Sequence, residues 1–447
     1  MNINFFVWCN TPKRKKNFIF KRAELDISKI EKMVNQILDE IKKRGDKALI
    51  HYIEKFDGAK LNPEQLRVKE EEFKRAEEKL SNEFKEAIKK NIENVRKFHL
   101  TQMPSPMKLF PISLGVYAGE KVEPITSVGL YVPRGKGSFP SVLYMLAVPA
   151  VIAGVEKIVI VTPPSRDGSI DAATLFTAKE CTVKEIYRIS GIQAIGALAY
   201  GTKTIPKVEK IIGPGSSYVT AAKRALFGIV DVGLPAGPSE SLILADKTAN
   251  PKNIALDFLI ESEHGPDSAS ILVTDSEDLG REVIEIVPSL IEDLPSIRKN
   301  FIKENMRKYS GVVIVKDLND AIDFINKYAP EHLSIVTKNP FDILPLIKNA
   351  GEILIGEYTP FSLANFSIGP NAILPTGGFA KTFSPVSVRD FFKYSSISYV
   401  TKNGFEKLKD YAIQLADYEG FPSHSTALKK RKICEKGGSD FYERKRI

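Results

Sequence analysis

The sequence predicts an α/β protein with two Rossmann-like parallel-sheet domains, N-terminal helices and a small C-terminal tail domain. From Ser127 onward, short apolar segments typical of strands alternate with segments of helical periodicity, and the alternation forms two series. Strands that alternate with helices pair in parallel, because each crossover helix returns the chain to the same edge of the sheet. Before this region, from Ile27 to Phe98, apolar residues recur at helical spacing.

The first series covers about 120–235 and the second about 236–380. Strands of the first series are predicted at VGLYV (128–132), KIVIVT (157–162), EIYRI (185–189) and KIIGPG (210–215). Those of the second are predicted at SLILAD, SILVTD, GVVIVK, LSIVT and EILIG, with helices at 251–263 and 319–328 between them. The region from Phe383 has a weaker pattern with one helix at 403–417.

These patterns divide the chain into four predicted segments. Residues 1–22 form an N-terminal arm, and 23–119 together with 236–382 form the first α/β domain. Residues 120–235 form the second α/β domain, and 383–447 form the small C-terminal domain. The N-terminal helices are expected to pack on the unit that contains 236–382, since they are assigned to the same domain.

Composition and charge exclude several classes of protein. The 447 residues are 43% hydrophobic and 27% charged, which is typical of a globular chain with sizeable cores and argues against disorder. The net charge of +9 is compatible with an anionic nucleotide or an acidic substrate. Lys and Glu alternate along the helical stretch 70–90, however, which is typical of a solvated helix face, so nucleic acid is not an expected partner.

Cysteine usage and hydropathy indicate the compartment. The three cysteines, Cys9, Cys181 and Cys434, are widely spaced and form no C-x-x-C pair, which fits a reducing cytoplasm. No apolar run approaches the roughly 20 residues that cross a bilayer. At the N-terminus the apolar run precedes the basic cluster, the reverse of a secretory signal. We therefore expect a cytoplasmic protein without a membrane partner.

Two glycine-rich turns are candidate phosphate sites. They lie at 134–140 and 213–217, each between a predicted strand and a predicted helix. Backbone N–H groups at such a turn and at the following helix N-terminus can bind phosphate. A G-x-G-x-x-G fingerprint is absent from the sequence, and turns of this kind also close strands that bind no ligand.

Only three of the five histidines lie at positions typical of a site. His51 and His99 fall on predicted helices, where a structural role is expected. His264 precedes a Gly-Pro turn, His332 follows a proline that ends a helix, and His424 lies in the tail. Residues at the ends of strands and helices are those that α/β folds use for binding and catalysis.

Several segments resemble the histidinol dehydrogenase family over nearly the whole chain. The most specific are PAGPSE (235–240) and ESEHGPDS (261–268). Further matches are ILDEIKKRGDKAL, SVGLYVP, QAIGALAYGT, IIGPG, YAPEHL and GEILIGEYTPFS. The resemblance implies a cytoplasmic homodimer with active sites shared between subunits, which oxidises a primary alcohol to a carboxylate through an enzyme-held aldehyde. It also implies two NAD molecules used in succession and one zinc ion per subunit.

The resemblance assigns residue roles as well. Glu331 and His332 are the implied catalytic pair: His332 takes the alcohol proton in the first hydride transfer, and Glu331 activates the water that attacks the aldehyde. Both groups can act as bases near neutral pH. These roles assign the chemistry to the first α/β domain and nucleotide binding to the second.

The implied zinc ligands are Glu261, His264, Asn365 and His424. The family has glutamine at the first position and aspartate at the third, so an amide and a carboxylate have exchanged places. The set still offers two imidazoles, one carboxylate and one amide oxygen, donors that zinc accepts. A hydrogen-bonded polar cluster without a metal is the alternative.

The implied ligand contacts follow the same matches. Substrate contacts fall on Ser239, Glu261, His264, His332, Asn365, Glu419 and His424. Nucleotide contacts fall on Tyr131, Gln193 and Ser216, of which the last is asparagine in the family. A serine hydroxyl can still form a hydrogen bond there.

Other departures leave the substrate open. Arg134 replaces a glycine of the family, and Ala372 stands where the family has histidine. A site built for hydrogen bonds discriminates strongly through them, so these changes are compatible with another substrate. The sequence therefore leaves three readings: oxidation of L-histidinol to L-histidine, the same chemistry on another primary alcohol such as a sulfonated diol, and a non-catalytic binding protein. The intact Glu331–His332 pair argues against the last.

Overall fold

The computed structural model describes residues 1–22, 28–134 and 137–432. Gly135 and Lys136 of the first glycine-rich turn, Cys434 and the rest of the basic tail lie outside the described residues. The chain divides into two compact units, one formed by Met1–Met103 with Ile125–Phe391, the other by Pro104–Pro124 with the chain from Phe392 onward. The division into four domains that the sequence suggests remains a prediction.

In chain order the strands are β1 (Asn4–Val7), β2 (Met107–Ser113), β3 (Val116–Pro124), β4 (Ser127–Tyr131), β5 (Lys157–Thr162), β6 (Ile186–Arg188), β7 (Lys210–Ile212), β8 (Glu240–Ala245), β9 (Ala269–Thr274), β10 (Gly311–Ile314), β11 (His332–Val336), β12 (Glu352–Ile355) and β13 (Phe392–Val400). The helices are α1 (Lys13–Lys21), α2 (Ser28–Arg44), α3 (Asp46–Tyr52), α4 (Glu70–Glu78), α5 (Asn82–Leu100), α6 (Pro140–Ala153), α7 (Ala172–Glu180), α8 (Gly191–Tyr200), α9 (Ser217–Ala225), α10 (Pro251–Ile260), α11 (Glu277–Leu290), α12 (Ser296–Lys308), α13 (Leu318–Tyr328), α14 (Pro340–Ile343), α15 (Phe361–Phe366), α16 (Lys402–Tyr418) and α17 (Pro422–Lys429).

The larger sheet of the first unit has six parallel strands in the order β1-β10-β9-β8-β11-β12. Strands β8 and β9 are buried at every position, as expected for a parallel sheet covered on both faces. The edge strand β1 belongs to the predicted N-terminal arm, and it pairs with β10 from Asn4 to Val7. The arm is thus part of the sheet.

The smaller sheet has four parallel strands in the order β6-β5-β4-β7. The two sheets confirm the predicted α/β class with parallel sheets. Helix α6, which follows β4, is apolar at nearly every position and largely buried. Its prolines at the first turn and near the end leave the helix unbroken.

Helix α2 does not pack where the sequence analysis expects the N-terminal helices. Val34, Leu38 and Ile41 of α2 share a core with Ile195 and Leu198 of α8, beside the smaller sheet. Helix α2 therefore covers the 120–235 segment, whereas α5 also contacts the 236–382 segment, where Nδ2 of Asn94 donates to the backbone oxygen of Ser367. The apolar stripe of a helix predicts that a face is buried, but it carries no information about which of two apolar surfaces covers it.

The second unit is an antiparallel sheet of order β13-β3-β2 with α16 and α17. The strands at 107–124 come from a region that the sequence analysis assigns mainly to the first α/β domain. They were not predicted as strands, because most of their residues are exposed or half-buried and the apolar positions show no clear alternation. Among the described residues, no helix combines the length and hydropathy needed to cross a membrane.

Candidate active site

His332 is the first residue of β11, and Glu331 directly precedes it. Strand β11 lies between β8 and β12 in the larger sheet. Helix α13 ends at Tyr328, Ala329 takes a left-handed conformation with φ of 51°, and Pro330 leads into the strand. Glu331 and His332 are both buried, at 7% and 3% exposure. The pair therefore lies at the amino edge of the parallel strands, although ligands of open α/β sheets usually bind at the carboxyl edge.

The imidazole of His332 is held between two carboxylates. Its Nδ1 lies 2.8 Å from Oε2 of Glu352, which starts the neighbouring strand β12 directly opposite His332. Its Nε2 lies 4.0 Å from Oε1 of Glu261. Burial alone would lower the pKa of His332, but the hydrogen bond to Glu352 and the charges of Glu261, Glu331 and Glu352 raise it to about 9.

The carboxylate of Glu331 is held by the neighbouring strand β8. The backbone N–H of Glu240, the first residue of β8, donates to Oε2 of Glu331 at 2.7 Å. Burial and the nearby carboxylates of Glu261 and Glu240 raise the pKa of Glu331 well above its ordinary value, and His332 and the Glu240 hydrogen bond offset this in part. A carboxylate with a raised pKa binds a proton more tightly, which is what a base that activates water requires.

Glu261, His264 and Asn365 meet beside this pair. Glu261 and His264 belong to the short turn that follows α10, and Oε2 of Glu261 lies 3.6 Å from Nε2 of His264. Nδ2 of Asn365 donates to Oε1 of Glu261 at 2.9 Å. Burial would raise the pKa of Glu261, but His264, His332 and hydrogen bonds from Asn365 and Ser239 lower it, so the carboxylate form is favoured.

These residues fit a zinc ion on three grounds. Two ligands bound to a tetrahedral zinc at about 2.1 Å lie about 3.4 Å apart, close to the 3.6 Å between Glu261 and His264. Both residues follow the carboxyl end of α10, where the helix dipole favours a cation. The third ground is that Glu261 is 2% exposed and nevertheless has a lowered pKa, so it offers a buried carboxylate as a ligand.

The two remaining implied site residues, the zinc ligand His424 and the substrate contact Glu419, belong to the second unit. Glu419 follows α16 and His424 lies in α17. Within the part of the chain that the structure describes, no group of three or more His, Cys, Asp and Glu side chains is arranged to hold a metal. Asn365 would bind a metal through its amide oxygen.

The implied nucleotide residues gather at the carboxyl edge of the smaller sheet. Tyr131 ends β4, and its hydroxyl accepts a hydrogen bond from the N–H of Gly191 at 3.1 Å. Burial raises the pKa of Tyr131 to about 12, so the phenol stays protonated. Gln193 is 1% exposed, and neither its amide nitrogen nor its amide oxygen has a hydrogen-bond partner. Ser216 precedes α9 without capping it through its side chain.

Two further observations indicate a ligand cleft here. A Cβ on Gly213 would lie 2.2 Å from the carbonyl oxygen of Tyr131, so the turn before α9 approaches the end of β4 as only glycine allows. Asp57 accepts a hydrogen bond from Ser190 at 2.7 Å through Oδ1, whereas its buried Oδ2 has no partner. Unpaired buried polar atoms are costly, so Gln193 and Asp57 fit a polar ligand such as NAD.

The residues that depart from the family pattern lie in different surroundings. Arg134 is exposed, and its Nη1 donates to Oγ of Ser165 at 2.7 Å in the loop after β5. Ala372 follows the buried Asn371, whose Nδ2 donates to the backbone oxygen of Met145 at 2.6 Å. Arg134 is thus a cation in the loops at the carboxyl edge of the smaller sheet.

Sequence reasoning missed Glu352, Glu240, Arg22 and Asp57. Glu352 and Glu240 begin apolar strands, and the only signal they carry is a single charge at the start of GEILIG and at the end of PAGPSE. Strand register places both beside Glu331 and His332, since His332 lies opposite Glu352 on one side and opposite Ser241 on the other. Register between distant strands is not visible in a single sequence.

Comparison with known proteins gives the family. The histidinol dehydrogenase family profile matches residues 20–432. The chain is 49% identical to a histidinol dehydrogenase of Synechocystis over 93% of this chain and 96% of that protein. It is 45% identical to a "histidinol dehydrogenase homolog" of Colwellia psychrerythraea, over 93% of each chain.

A solved structure agrees with the sequence comparisons. The crystal structure of histidinol dehydrogenase from Elizabethkingia anophelis superimposes with a TM-score of 0.91 at 35% identity, and it covers 96% of this chain and 97% of that one. Family profile, sequence identity and fold thus agree over nearly the whole chain. The protein belongs to the histidinol dehydrogenase family.

Proposed function

We propose that this protein oxidises L-histidinol to L-histidine, the last reaction of histidine biosynthesis, with NAD as the electron acceptor. Family membership supports the reaction class. The observation that carries the proposal is the buried Glu331–His332 pair, each member of which has its own anchor: Glu240 for Glu331 and Glu352 for His332. A glutamate and a histidine that only interacted with solvent would be exposed.

In the first step His332 takes the proton of the alcohol while a hydride leaves the carbon. Nδ1 of His332 faces Glu352, so Nε2 is the nitrogen that can accept this proton. Glu352 orients the ring and stabilises the imidazolium that forms, as the carboxylate of a catalytic triad does. The product is an aldehyde, oxidised by two electrons.

In the second step Glu331 takes a proton from water as the water oxygen attacks the aldehyde carbon. As the new carbon–oxygen bond forms, the second bond of the carbonyl breaks and Glu331 keeps the water proton, so the adduct is the hydrate anion; loss of a hydride to NAD then turns this anion into the carboxylic acid. Burial and neighbouring carboxylates make Glu331 a stronger base than an ordinary glutamate, which suits it to deprotonate water. Glu331 and His332 thus act in separate steps.

The cofactors are those of the family. NAD accepts each hydride when bound, and we propose Tyr131, Gln193 and Ser216 as its contacts. Glu261, His264 and Asn365, with His424, would hold zinc, which when bound polarises the substrate oxygen. Ser239, Glu261, His264, His332, Asn365, Glu419 and His424 are the proposed substrate contacts. We further propose a cytoplasmic homodimer, in which Glu419 and His424 complete the active site of the other subunit.

A second candidate is the same chemistry on another primary alcohol, such as a sulfonated diol. It is favoured by the exposed cation Arg134 near the nucleotide edge and by Ala372. The exchange of amide and carboxylate at Glu261 and Asn365 points the same way. A relative described only as a homolog of histidinol dehydrogenase is at least as similar to this chain as some relatives described as the enzyme itself.

The test is NAD reduction with L-histidinol and with a panel of other primary alcohols that includes a sulfonated diol. We expect two NADH per L-histidinol in the wild-type protein. In Glu331→Gln, oxidation of the aldehyde should be abolished. His51→Gln, on an exposed histidine of α3, is the matched control and keeps full turnover. Turnover with another alcohol but not with L-histidinol contradicts the proposed substrate, and no turnover with any alcohol contradicts the enzyme class.

A further inference from the structure

Arg22, the last described residue of the N-terminal arm, reaches into the interior beside Glu331. It directly follows α1 and is 8% exposed. Its Nη1 donates to Oε2 of Glu240 at 2.9 Å. Its Nη2 donates to the backbone oxygen of Tyr328 and contacts that of Ala329 at 3.5 Å, and the guanidinium stacks 3.6 Å from the Tyr328 ring centroid.

These contacts reach both backbone segments that hold Glu331. Tyr328 and Ala329 come three and two positions before Glu331 in the chain, so Arg22 fixes the backbone that leads to Glu331. Glu240 provides the backbone N–H that holds the Glu331 carboxylate. One guanidinium therefore contacts both the backbone that precedes Glu331 and the residue whose N–H binds the Glu331 carboxylate. The flexible ammonium group of a lysine would connect these two segments less well.

The backbone at this contact is strained. Among the described residues, the non-glycine residues with positive φ are Arg22 at 56°, Thr182 at 62° and Ala329 at 51°. Two of the three therefore belong to this one contact. Strain of this kind persists only where the surroundings compensate for it, and it occurs preferentially at functional sites.

Arg22 also balances charge. Glu240 is 4% exposed, and besides Arg22 its carboxylate accepts the N–H of Gly377 at 3.1 Å. Without a cation, a buried carboxylate would repel Glu331, whose own carboxylate is anchored to the Glu240 backbone. We propose that Arg22 is a positioning residue that keeps Glu331 in place for the attack of water on the aldehyde. The inference rests on the proposed two-step oxidation.

The test compares Arg22→Gln with Arg188→Gln. Arg188 is an equally buried arginine that pairs with Glu72 and donates to backbone oxygens, but it ends β6 at the edge of the smaller sheet, whereas Glu331 precedes β11 of the larger sheet. Each variant is assayed with the alcohol that the wild-type protein oxidises and, separately, with the corresponding aldehyde. Thermal unfolding gives the stability of each.

We expect Arg22→Gln to slow aldehyde oxidation by about tenfold or more, since a displacement on the order of 1 Å costs up to about a hundredfold. The alcohol step should fall by less, so that bound aldehyde accumulates and the first turnover gives a burst of about one NADH per active site, followed by the slower second NADH. Arg22→Lys should restore part of the aldehyde step, and the double variant Arg22→Gln/Glu240→Gln more, because it removes the uncompensated charge. Arg188→Gln should lower stability without changing the ratio of the two steps.

The proposal would be overturned if Arg22→Gln slowed both steps by the same factor, as is expected of Arg188→Gln. If Arg22→Gln does not fold, Arg22→Lys decides the question: a two-step ratio equal to that of the wild type overturns the proposal, and a lower ratio supports it. Because the assay uses whichever alcohol the wild-type protein oxidises, a wrong substrate leaves this test intact. A wild-type protein that oxidises no primary alcohol overturns both the proposed function and the role of Arg22.

Discussion

The pairing of Glu352 with His332 gives the sharpest prediction, because two substitutions separate its charge from its hydrogen bond. Glu352→Gln keeps an oxygen acceptor for the Nδ1 proton of His332 but removes the charge, whereas Glu352→Ala removes both. A hydrogen bond to a charged group contributes about 1.5–3 kcal/mol and a neutral one about 0.5–1.5 kcal/mol. The bond at 2.8 Å is largely buried on both sides, so little solvent screening applies.

The expected losses follow from these energies. Glu352→Gln should lower the rate of the alcohol step by about tenfold, and Glu352→Ala by about tenfold to about 150-fold. The Glu352 hydrogen bond is the largest contribution that raises the pKa of His332 to about 9. Its loss should therefore shift the inflection of the alcohol step to lower pH, since His332 must be neutral to take the proton.

The assay is pre-steady-state NADH formation from the alcohol as a function of pH, with thermal unfolding as a check on folding. Glu357→Gln is the matched control, because Glu357 lies on the same segment beyond β12, is exposed and only accepts the N–H of Asn250. A loss below about twofold in Glu352→Ala, or an unchanged inflection in Glu352→Gln, would refute the view that Glu352 orients and charges His332.

Three further predictions concern stability, NAD and metal. Burial lowers the pKa of Lys223 to about 8, whereas an unfolded chain has its ordinary value of 10.5, so between these pH values the unfolded state binds more protons and stability rises with pH. Lys223→Met should lack this rise, which is at most about 3 kcal/mol, in urea unfolding at pH 7.5 and 9.5. Asp57→Asn should raise the KM for NAD by about tenfold with little change in kcat, because it removes an unpaired buried carboxylate oxygen from the proposed cleft. Glu261→Gln with Asn365→Asp should retain the wild-type metal content in elemental analysis, whereas Glu261→Gln alone should lose metal, because it leaves two amides and no carboxylate in the set.

Each of these has an outcome that contradicts it. A stability difference between wild type and Lys223→Met that is the same at both pH values would mean that this lysine is charged in the folded protein. An Asp57→Asn variant that lowers kcat and leaves the KM for NAD unchanged would separate Asp57 from nucleotide binding. Wild-type protein purified without chelator that is fully active and free of zinc would remove the metal site.

Local structure could be predicted from the sequence because strands and helices differ in the short-range periodicity of their apolar residues. The alternation of VGLYV, KIVIVT and their counterparts with helical segments predicted strands that the structure has at β4, β5 and beyond. A proline after a helix and a Glu-His pair before an apolar run located the catalytic candidates, and the family motifs supplied their proposed roles. Burial of this pair is consistent with those roles.

Only the tertiary structure determined which strands, helices and side chains contact each other. The sequence by itself determined the α/β class and the family, and it located Glu331 and His332 as candidates. It did not reveal that Glu352 lies opposite His332, because that depends on the register of two strands separated by a helix. Nor did it place Arg22 against residues about 300 positions away, or α2 on the smaller sheet. Periodicity records which face of an element is buried, whereas the partner of that face is selected by packing among all the elements at once.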